Sequence, residues 1–244
     1  MDYVYSIVLG IVQGLTEFLP ISSSGHLVLL ERIFDKPSLF FNVMLHAATL
    51  LSVFVVMRKR LWQLIKNPLS PENIFVLISM LPTALIAALF KWRFESVLEG
   101  SLLPLGFELT TALLVFPTLK KDGLPLSCPR SFISGVAQGI AVIPGLSRSG
   151  TVISTLRIIG TPVEKSVEFA FLMSIPVIIG STGVELFTAD AIYMAKLPSV
   201  LTGMAFAFLT GIFALKFMLS RLNGKNMRYF APYTFVLFIL ACFI

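Results

Sequence analysis

Residues 10–26 read GIVQGLTEFLPISSSGH and place a carboxylate, three consecutive hydroxyls and an imidazole inside an otherwise apolar region. In a low-dielectric setting each unpaired polar group costs several kcal/mol, so this cluster is expected to have a use. The same outline returns 125 positions later, where residues 138–139 repeat the Gln-Gly pair and residues 147–150 read SRSG instead of SSSG. The stretch therefore predicts two related halves, about 1–120 and 121–244, each contributing one polar element to a single site.

The rest of the chain has the composition of a membrane protein. Hydrophobic residues occupy 56% of its 244 positions and charged residues only 13%, which is about half the charged share of a typical soluble domain. The long apolar runs do not alternate as barrel strands do, and they favour helices. We therefore predict an all-α polytopic membrane protein. The net charge of +6 is interpreted as a bias of the loops and not as nucleic-acid binding.

Six apolar runs approach the roughly 20 residues that a helix needs to cross a bilayer. They are residues 40–57, 74–90, 102–119, 167–187, 197–219 and 229–244. The two polar elements, at about 3–34 and 132–159, consist of shorter pieces on either side of a turn. We predict that each is a re-entrant helix-turn-helix, although one continuous kinked span is an alternative for the first. The predicted fold is six transmembrane helices plus two re-entrant elements.

The order of these elements predicts an inverted-topology repeat. Three spans separate the two re-entrant elements, and an odd number makes them enter from opposite faces, an architecture associated with transporters. The positive-inside rule assigns the faces. The predicted cytoplasmic side carries Arg58, Lys59, Arg60, Lys66, Lys120, Lys121, Arg130, Arg157, Lys165, Arg221, Lys225 and Arg228. The other side carries only Arg32, Lys36, Lys91, Arg93 and Lys196. The first polar element then opens to the extracytoplasmic side of a cell membrane.

The polar side chains of the two elements suit phosphoryl transfer. Backbone N–H groups and serine hydroxyls at a helix start form an anion pocket, and the planar fork of Arg148 fits a phosphate. A serine or His26 could attack phosphorus, while Glu17 could act as base, orient His26 or hold a divalent metal. The candidate set is Gln13, Glu17, Ser22, Ser23, Ser24, His26, Ser147, Arg148, Ser149 and Thr151.

Competing structural interpretations carry different weight for different residues. A serine in a membrane helix often bonds to its own backbone, so no single serine is decisive. For Glu17 and Arg148 a function is favoured, because inserting a charge into the membrane costs several kcal/mol. His46 lies alone in an apolar run, and we interpret it as hydrogen-bonded packing and not as a ligand.

Two motifs resemble the signatures of a known family. QGLTEFLPISSSGHL at residues 13–27 and PGLSRSG at residues 144–150 are similar to the paired motifs of the undecaprenyl-pyrophosphate phosphatase family, the bacitracin-resistance proteins. AQG at residues 137–139 and FAFLMSIP at residues 169–176 are also similar to that family. The similarity covers most of the chain.

The resemblance implies an integral membrane enzyme that hydrolyses undecaprenyl pyrophosphate, a polyprenyl pyrophosphate lipid, to the monophosphate and so recycles the lipid carrier of cell-wall synthesis. It also implies the fold of six spans and two re-entrant helix pairs. Carried over by position, the functional residues are Glu17, Ser22, Ser23, His26, Ser147 and Arg148. Ser23 is the nucleophile that the resemblance favours, with His26 as the alternative.

The sequence departs from that family pattern at two positions. Gln13 stands where many members have a glutamate, which weakens the case for tight metal binding, although Mg²⁺ or Ca²⁺ could still bridge Glu17 and the pyrophosphate. The family's threonine falls on Val152, with Thr151 beside it.

The alternative function is a lipid-phosphate transporter or flippase, because inverted repeats with broken helices are common in transporters. A homodimer is compatible with the sequence.

Overall fold

The computed structural model describes residues 3–35, 38–98, 102–115, 123–188, 197–221 and 226–244, and of residues 91–98 and 184–188 only the backbone. All regular structure in these ranges is helical, as predicted. The helices are α1 (Tyr3–Phe18), α2 (Ser23–Phe34), α3 (Leu39–Val56), α4 (Arg58–Lys66), α5 (Pro71–Leu98), α6 (Leu103–Val115), α7 (Cys128–Ile140), α8 (Arg148–Ile158), α9 (Val163–Thr188), α10 (Leu197–Arg221) and α11 (Ala231–Ala241). A 3₁₀ turn (Met227–Phe230) precedes α11.

Four described helices are long and apolar enough to cross a membrane, namely α3, α5, α9 and α10. They confirm four of the six predicted spans, and the chain is a multi-pass membrane protein. The predicted spans 102–119 and 229–244 correspond to α6 and α11, which are shorter apolar helices in the described part of the chain. Residues 116–119 lie outside the described residues.

The helices after α3 differ from the sequence prediction in two ways. The helix predicted for residues 74–90 continues to Leu98, because the charged residues after position 90 end the apolar run without breaking the helix. The basic residues after α3 begin a further short helix, α4, which buries Leu64 and exposes Trp62. Among the residues that carry the prediction of sidedness, Lys36, Lys120, Lys121, Lys196 and Lys225, and the side chains of Lys91 and Arg93, lie outside what the structure describes.

Both polar elements are two short helices joined by a turn, as predicted. In the first, α1 and α2 flank residues 19–22, and in the second, α7 and α8 flank residues 141–147. Each second helix begins with a serine cap: the Gly25 amide donates to Ser22 Oγ at 3.2 Å, and the Gly150 amide donates to Ser147 Oγ at 3.1 Å. Such a cap satisfies one of the amides that a helix leaves unpaired at its start.

Glycines bring the first helix of each element against a long helix. Gly10 and Gly14 lie where α1 contacts α10, and a Cβ at Gly14 would fall 2.4 Å from the Ala207 carbonyl oxygen. In the same way a Cβ at Gly135 on α7 would fall 2.2 Å from the Ser79 carbonyl oxygen on α5. Small residues four apart allow this close backbone approach in membrane helices.

The two polar elements touch each other. The Ser149 hydroxyl, in the first turn of α8, donates to the Leu19 carbonyl of the first element at 3.3 Å. A Cβ at Gly25 would lie 3.0 Å from the Cα of Gly145, so this contact has no room for a side chain larger than that of glycine. The fold thus places the two polar elements side by side.

Candidate active site

Glu17 is the centre of a buried hydrogen-bond cluster. Its Oε1 accepts from Nη2 of Arg148 at 2.5 Å, and its Oε2 accepts from the Ser23 hydroxyl at 2.5 Å and from the Gln13 amide at 3.0 Å. Only 4% of the Glu17 side chain is exposed. A buried carboxylate needs such donors, because burying a charge without partners is costly. The convergence predicted for the two polar elements is therefore confirmed.

A cavity of about 420 Å³ opens beside this cluster. Its polar wall consists of Thr16, Glu17, Ser22, Ser23, Ser24, Asn42, His46, Ser147, Arg148, Ser149 and Ser181. The remaining wall is apolar and includes Leu39, Val43, Ala87, Val142, Val177 and Ile178. A larger cavity of about 690 Å³, between α3, α4, α5 and α9, is lined mostly by apolar side chains and holds none of the predicted site residues. The smaller cavity is therefore the candidate site.

The ends of two helices face this cavity. The serines that cap α2 and α8, Ser22 and Ser147, lie on its wall together with Ser24 and Ser149. Each cap serine is within 3.4 Å of the serine two positions later in its turn, so the hydroxyls form two small hydrogen-bonded pairs. Helix starts present amide hydrogens and positive dipole ends, which suits an anionic ligand.

His26 lies behind the first turn. In the described structure it does not line the cavity, because both of its ring nitrogens are hydrogen-bonded elsewhere: Nδ1 is 2.6 Å from the Ser22 carbonyl oxygen, and Nε2 is 2.7 Å from the Tyr233 hydroxyl. The ring also stacks on Tyr233 at a centroid distance of 5.7 Å. This arrangement gives His26 a role in holding the turn.

Thr151 is likewise not placed on the cavity wall. Its side chain is buried, and its hydroxyl has no hydrogen-bond partner in the described part of the chain. Of the ten residues predicted for the site, seven line the cavity. Gln13 contacts the cavity residue Glu17, while His26 and Thr151 lie outside the wall.

One residue of the site was interpreted differently from the sequence. His46 is hydrogen-bonded, as predicted, but its partners belong to the site: its Nδ1 is 2.8 Å from Gln13 Nε2 and 3.2 Å from Glu17 Oε2. Asn42, four residues earlier on α3, lines the same cavity. That spacing places both side chains on one helix face and was the signal available in the sequence.

Comparison with known proteins identifies the family. A family model described as bacitracin resistance protein BacA matches residues 6–240. The chain belongs to this family. Among its relatives, a protein from Christiangramia forsetii named undecaprenyl-diphosphatase is 40% identical, over 99% of this chain and 97% of the relative. A protein of the same name from Korarchaeum cryptofilum is 38% identical, over 96% of this chain and 95% of the relative. Another, from Carboxydothermus hydrogenoformans, is 37% identical, over 97% of this chain and 95% of the relative.

The BacA membership confirms the resemblance that the two motifs predicted. In the described residues, no three His, Cys, Asp or Glu side chains come together to hold a metal ion. Both Glu17 oxygens accept hydrogen bonds from protein groups, and Gln13 approaches Glu17 with its amide nitrogen. The site therefore does not fit a cation held by protein side chains, and a cation bridging Glu17 and the pyrophosphate stays a prediction.

Proposed function

We propose that this BacA-family protein hydrolyses undecaprenyl pyrophosphate, or a related polyprenyl pyrophosphate, to the monophosphate and inorganic phosphate. The observation that carries the proposal is the shared carboxylate: Ser23 and Arg148, from opposite halves of the sequence, both donate to Glu17 at 2.5 Å. A nucleophile, a base and a cation for the phosphate are thereby within one cavity. The relatives named undecaprenyl-diphosphatase support the same reaction.

Ser23 is the proposed nucleophile. Its hydroxyl proton passes to Glu17 Oε2 as Oγ forms a bond to the terminal phosphorus, and the bond from that phosphorus to the bridging oxygen breaks. The lipid monophosphate leaves with the bridging oxygen, and Glu17 returns its proton to that leaving group. Water then attacks the phosphoserine, Glu17 takes one water proton, and Ser23 recovers it as inorganic phosphate leaves. His26 is less suitable as nucleophile, because both of its nitrogens are occupied.

Arg148 is proposed to stabilise the negative charge of the transferred phosphoryl group. Its side chain is 22% exposed at the cavity, so it can donate to a phosphate while it remains close to Glu17. Planar guanidinium groups suit this role because they donate in pairs to two oxygens. The hydroxyls of Ser22, Ser24, Ser147 and Ser149 are proposed to donate to the remaining phosphate oxygens.

The architecture proposed for this function is six spans with two re-entrant elements in inverted halves. Three features support it: the same serine cap at matching positions, the same glycine spacing, and reciprocal packing. In that packing α1 contacts α10 while α7 contacts α5, which is the pattern that a two-fold exchange of the halves would produce. Sites at such a repeat interface lie near the middle of the membrane.

We further propose that the pyrophosphate enters from the extracytoplasmic face of the cell membrane and that the prenyl tail stays in the bilayer. The positive-inside rule supports this sidedness. The apolar cavity wall around Val142, Val177 and Ile178 offers a path along which the tail can leave the polar chamber. A homodimer remains a prediction from the sequence.

The test is phosphate release from a prenyl pyrophosphate by purified protein in detergent. We expect turnover by the unaltered protein and a loss of at least about 10³-fold in Ser23→Ala, because the nucleophile is gone. Ser220→Ala is the matched control, since that serine is exposed on α10 and, among the described residues, its hydroxyl donates to the Phe217 carbonyl of the same helix. If the protein releases no phosphate but moves the intact lipid across proteoliposome membranes, the transporter hypothesis replaces the phosphatase.

A further inference from the structure

His46 contributes a second histidine to the site, and the mechanism above does not use it. The residue lies on α3, outside both polar motifs, and its imidazole forms part of the cavity wall. About a fifth of the side chain is exposed. Its Nδ1 lies 2.8 Å from Gln13 Nε2 and 3.2 Å from Glu17 Oε2.

These contacts determine where the imidazole carries its proton. Gln13 Nε2 donates one hydrogen to Glu17 Oε2 at 3.0 Å and has its second hydrogen for His46 Nδ1. A proton on Nδ1 would therefore face another N–H at 2.8 Å. Turning the Gln13 amide over would instead place its oxygen 3.0 Å from the Glu17 oxygen. The neutral ring with its proton on Nε2 satisfies the 2.8 Å contact with Gln13, which is the shorter of the two, and the 3.2 Å approach of Nδ1 to Glu17 Oε2 is then not a hydrogen bond.

The Nε2–H group is then a donor without a protein acceptor. In the described part of the chain, Nε2 of His46 has no hydrogen-bond partner, whereas both nitrogens of His26 do. The ring lines the cavity that contains Ser23 and Arg148. A donor on the cavity wall is placed to bond to an acceptor on the ligand.

We propose that His46 binds the terminal phosphate of the substrate through Nε2–H and that Gln13 holds the ring in the required tautomer. The inference rests on the proposed phosphatase function. It assigns a purpose to the amide at position 13: an amide nitrogen donates both to Glu17 and to His46, which a carboxylate at that position cannot do. Gln13 acts as a positioning residue, and His46 contacts the substrate.

Three substitutions of His46 separate its two nitrogens. His46→Gln places an N–H near the position of Nε2, His46→Asn places its amide near Nδ1 and no polar group near Nε2, and His46→Phe removes both. We expect His46→Asn and His46→Phe to lose roughly 10- to 100-fold in kcat/KM, as for a hydrogen bond to a charged group, and His46→Gln to recover roughly tenfold of that loss. Inhibition by inorganic phosphate should weaken in the same order, because this product makes the same contact.

Ser52→Ala is the control for α3, because Ser52 is buried on the same helix and donates to the Phe208 carbonyl at 2.9 Å, away from the cavity. It should alter the melting temperature without altering phosphate inhibition. The proposal is overturned if the three His46 variants retain the kcat/KM and the phosphate inhibition of the unaltered protein. It is also overturned if the losses of kcat/KM and of phosphate inhibition simply follow the decrease in melting temperature of each variant. An unaltered protein that releases no phosphate would instead refute the phosphatase function itself.

Discussion

Replacing Arg148 by alanine should damage stability and catalysis for two separable reasons. Glu17 is 4% exposed and would lose the guanidinium that its Oε1 contacts at 2.5 Å. Removing one partner of a buried ion pair costs about 3–5 kcal/mol. Because Glu17 keeps the Ser23 and Gln13 donors, we expect the lower end, about 3 kcal/mol, which corresponds to a melting temperature lower by about 6–12 °C for a chain of this size.

The catalytic loss should be larger than this loss of stability. An arginine that contacts a transferred phosphoryl group contributes about 10³- to 10⁵-fold to kcat, so Arg148→Ala should turn over at least about 10³-fold more slowly at a temperature where it is folded. The assay is phosphate release by detergent-purified protein, with the folded fraction measured by thermal unfolding in the same buffer. Arg148→Lys should recover much of the stability but little of the rate, because an ammonium lacks the planar fork.

A double variant separates the two effects. Combining Arg148→Ala with Glu17→Gln removes the unpaired charge, so the melting temperature should rise above that of Arg148→Ala alone while activity stays absent. The assignment of Arg148 is wrong if Arg148→Ala, once folded, turns over within about tenfold of the unaltered rate. A double variant no more stable than Arg148→Ala would contradict the ion-pair explanation of the stability loss.

Three further outcomes are expected. Gly14→Ala should lower stability by about 1–3 kcal/mol in thermal unfolding, because its Cβ would fall 2.0 Å from the Thr210 hydroxyl oxygen. The control is Gly180→Ala, whose Cβ would meet nothing within 4 Å and which should leave the stability unchanged. Equal melting temperatures for the two variants would refute the close α1–α10 contact. Tyr233→Phe removes the hydroxyl that contacts His26 Nε2 and should cost about 1 kcal/mol with little change in kcat; a loss of rate like that of Ser23→Ala would make His26 part of the chemistry. If a cation bridges Glu17 and the pyrophosphate, EDTA should abolish phosphate release and Mg²⁺ or Ca²⁺ should restore it; unchanged turnover in EDTA would reject the bridge.

The sequence was most informative where chemistry and periodicity agree. A run such as SSSGH cannot continue an apolar helix without partners, so the sequence predicted a turn at residues 22–25; the break is real, but it lies at residues 19–22, because Ser22 caps a helix that begins at Ser23. The 125-residue repeat then predicted the second turn, and the cost of burying Glu17 and Arg148 predicted that they meet. The serine caps on Ser22 and Ser147 follow the same local rule.

Prediction was weaker where distant segments decide the outcome. His46 stands 33 residues from Gln13, and only the packing of α3 beside α1 brings them to 2.8 Å. His26 shares a motif with Ser23, yet Tyr233, 207 residues away, turns its imidazole from the cavity. Motif membership fixes where a residue lies along the chain, but it does not fix the direction in which its side chain points.

The pairing of Glu17 with a guanidinium 131 positions further along has a consequence for biogenesis. While the ribosome is still making the later helices, the newly inserted N-terminal segment carries a carboxylate whose counter-charge has not yet been synthesised. A polypeptide truncated after α6 would therefore leave an acidic group stranded in a nonpolar environment, and membrane quality control would be expected to remove it. Supplying the missing C-terminal part as a separate chain should rescue that fragment, with assembly of the charge pair as the step that commits both pieces.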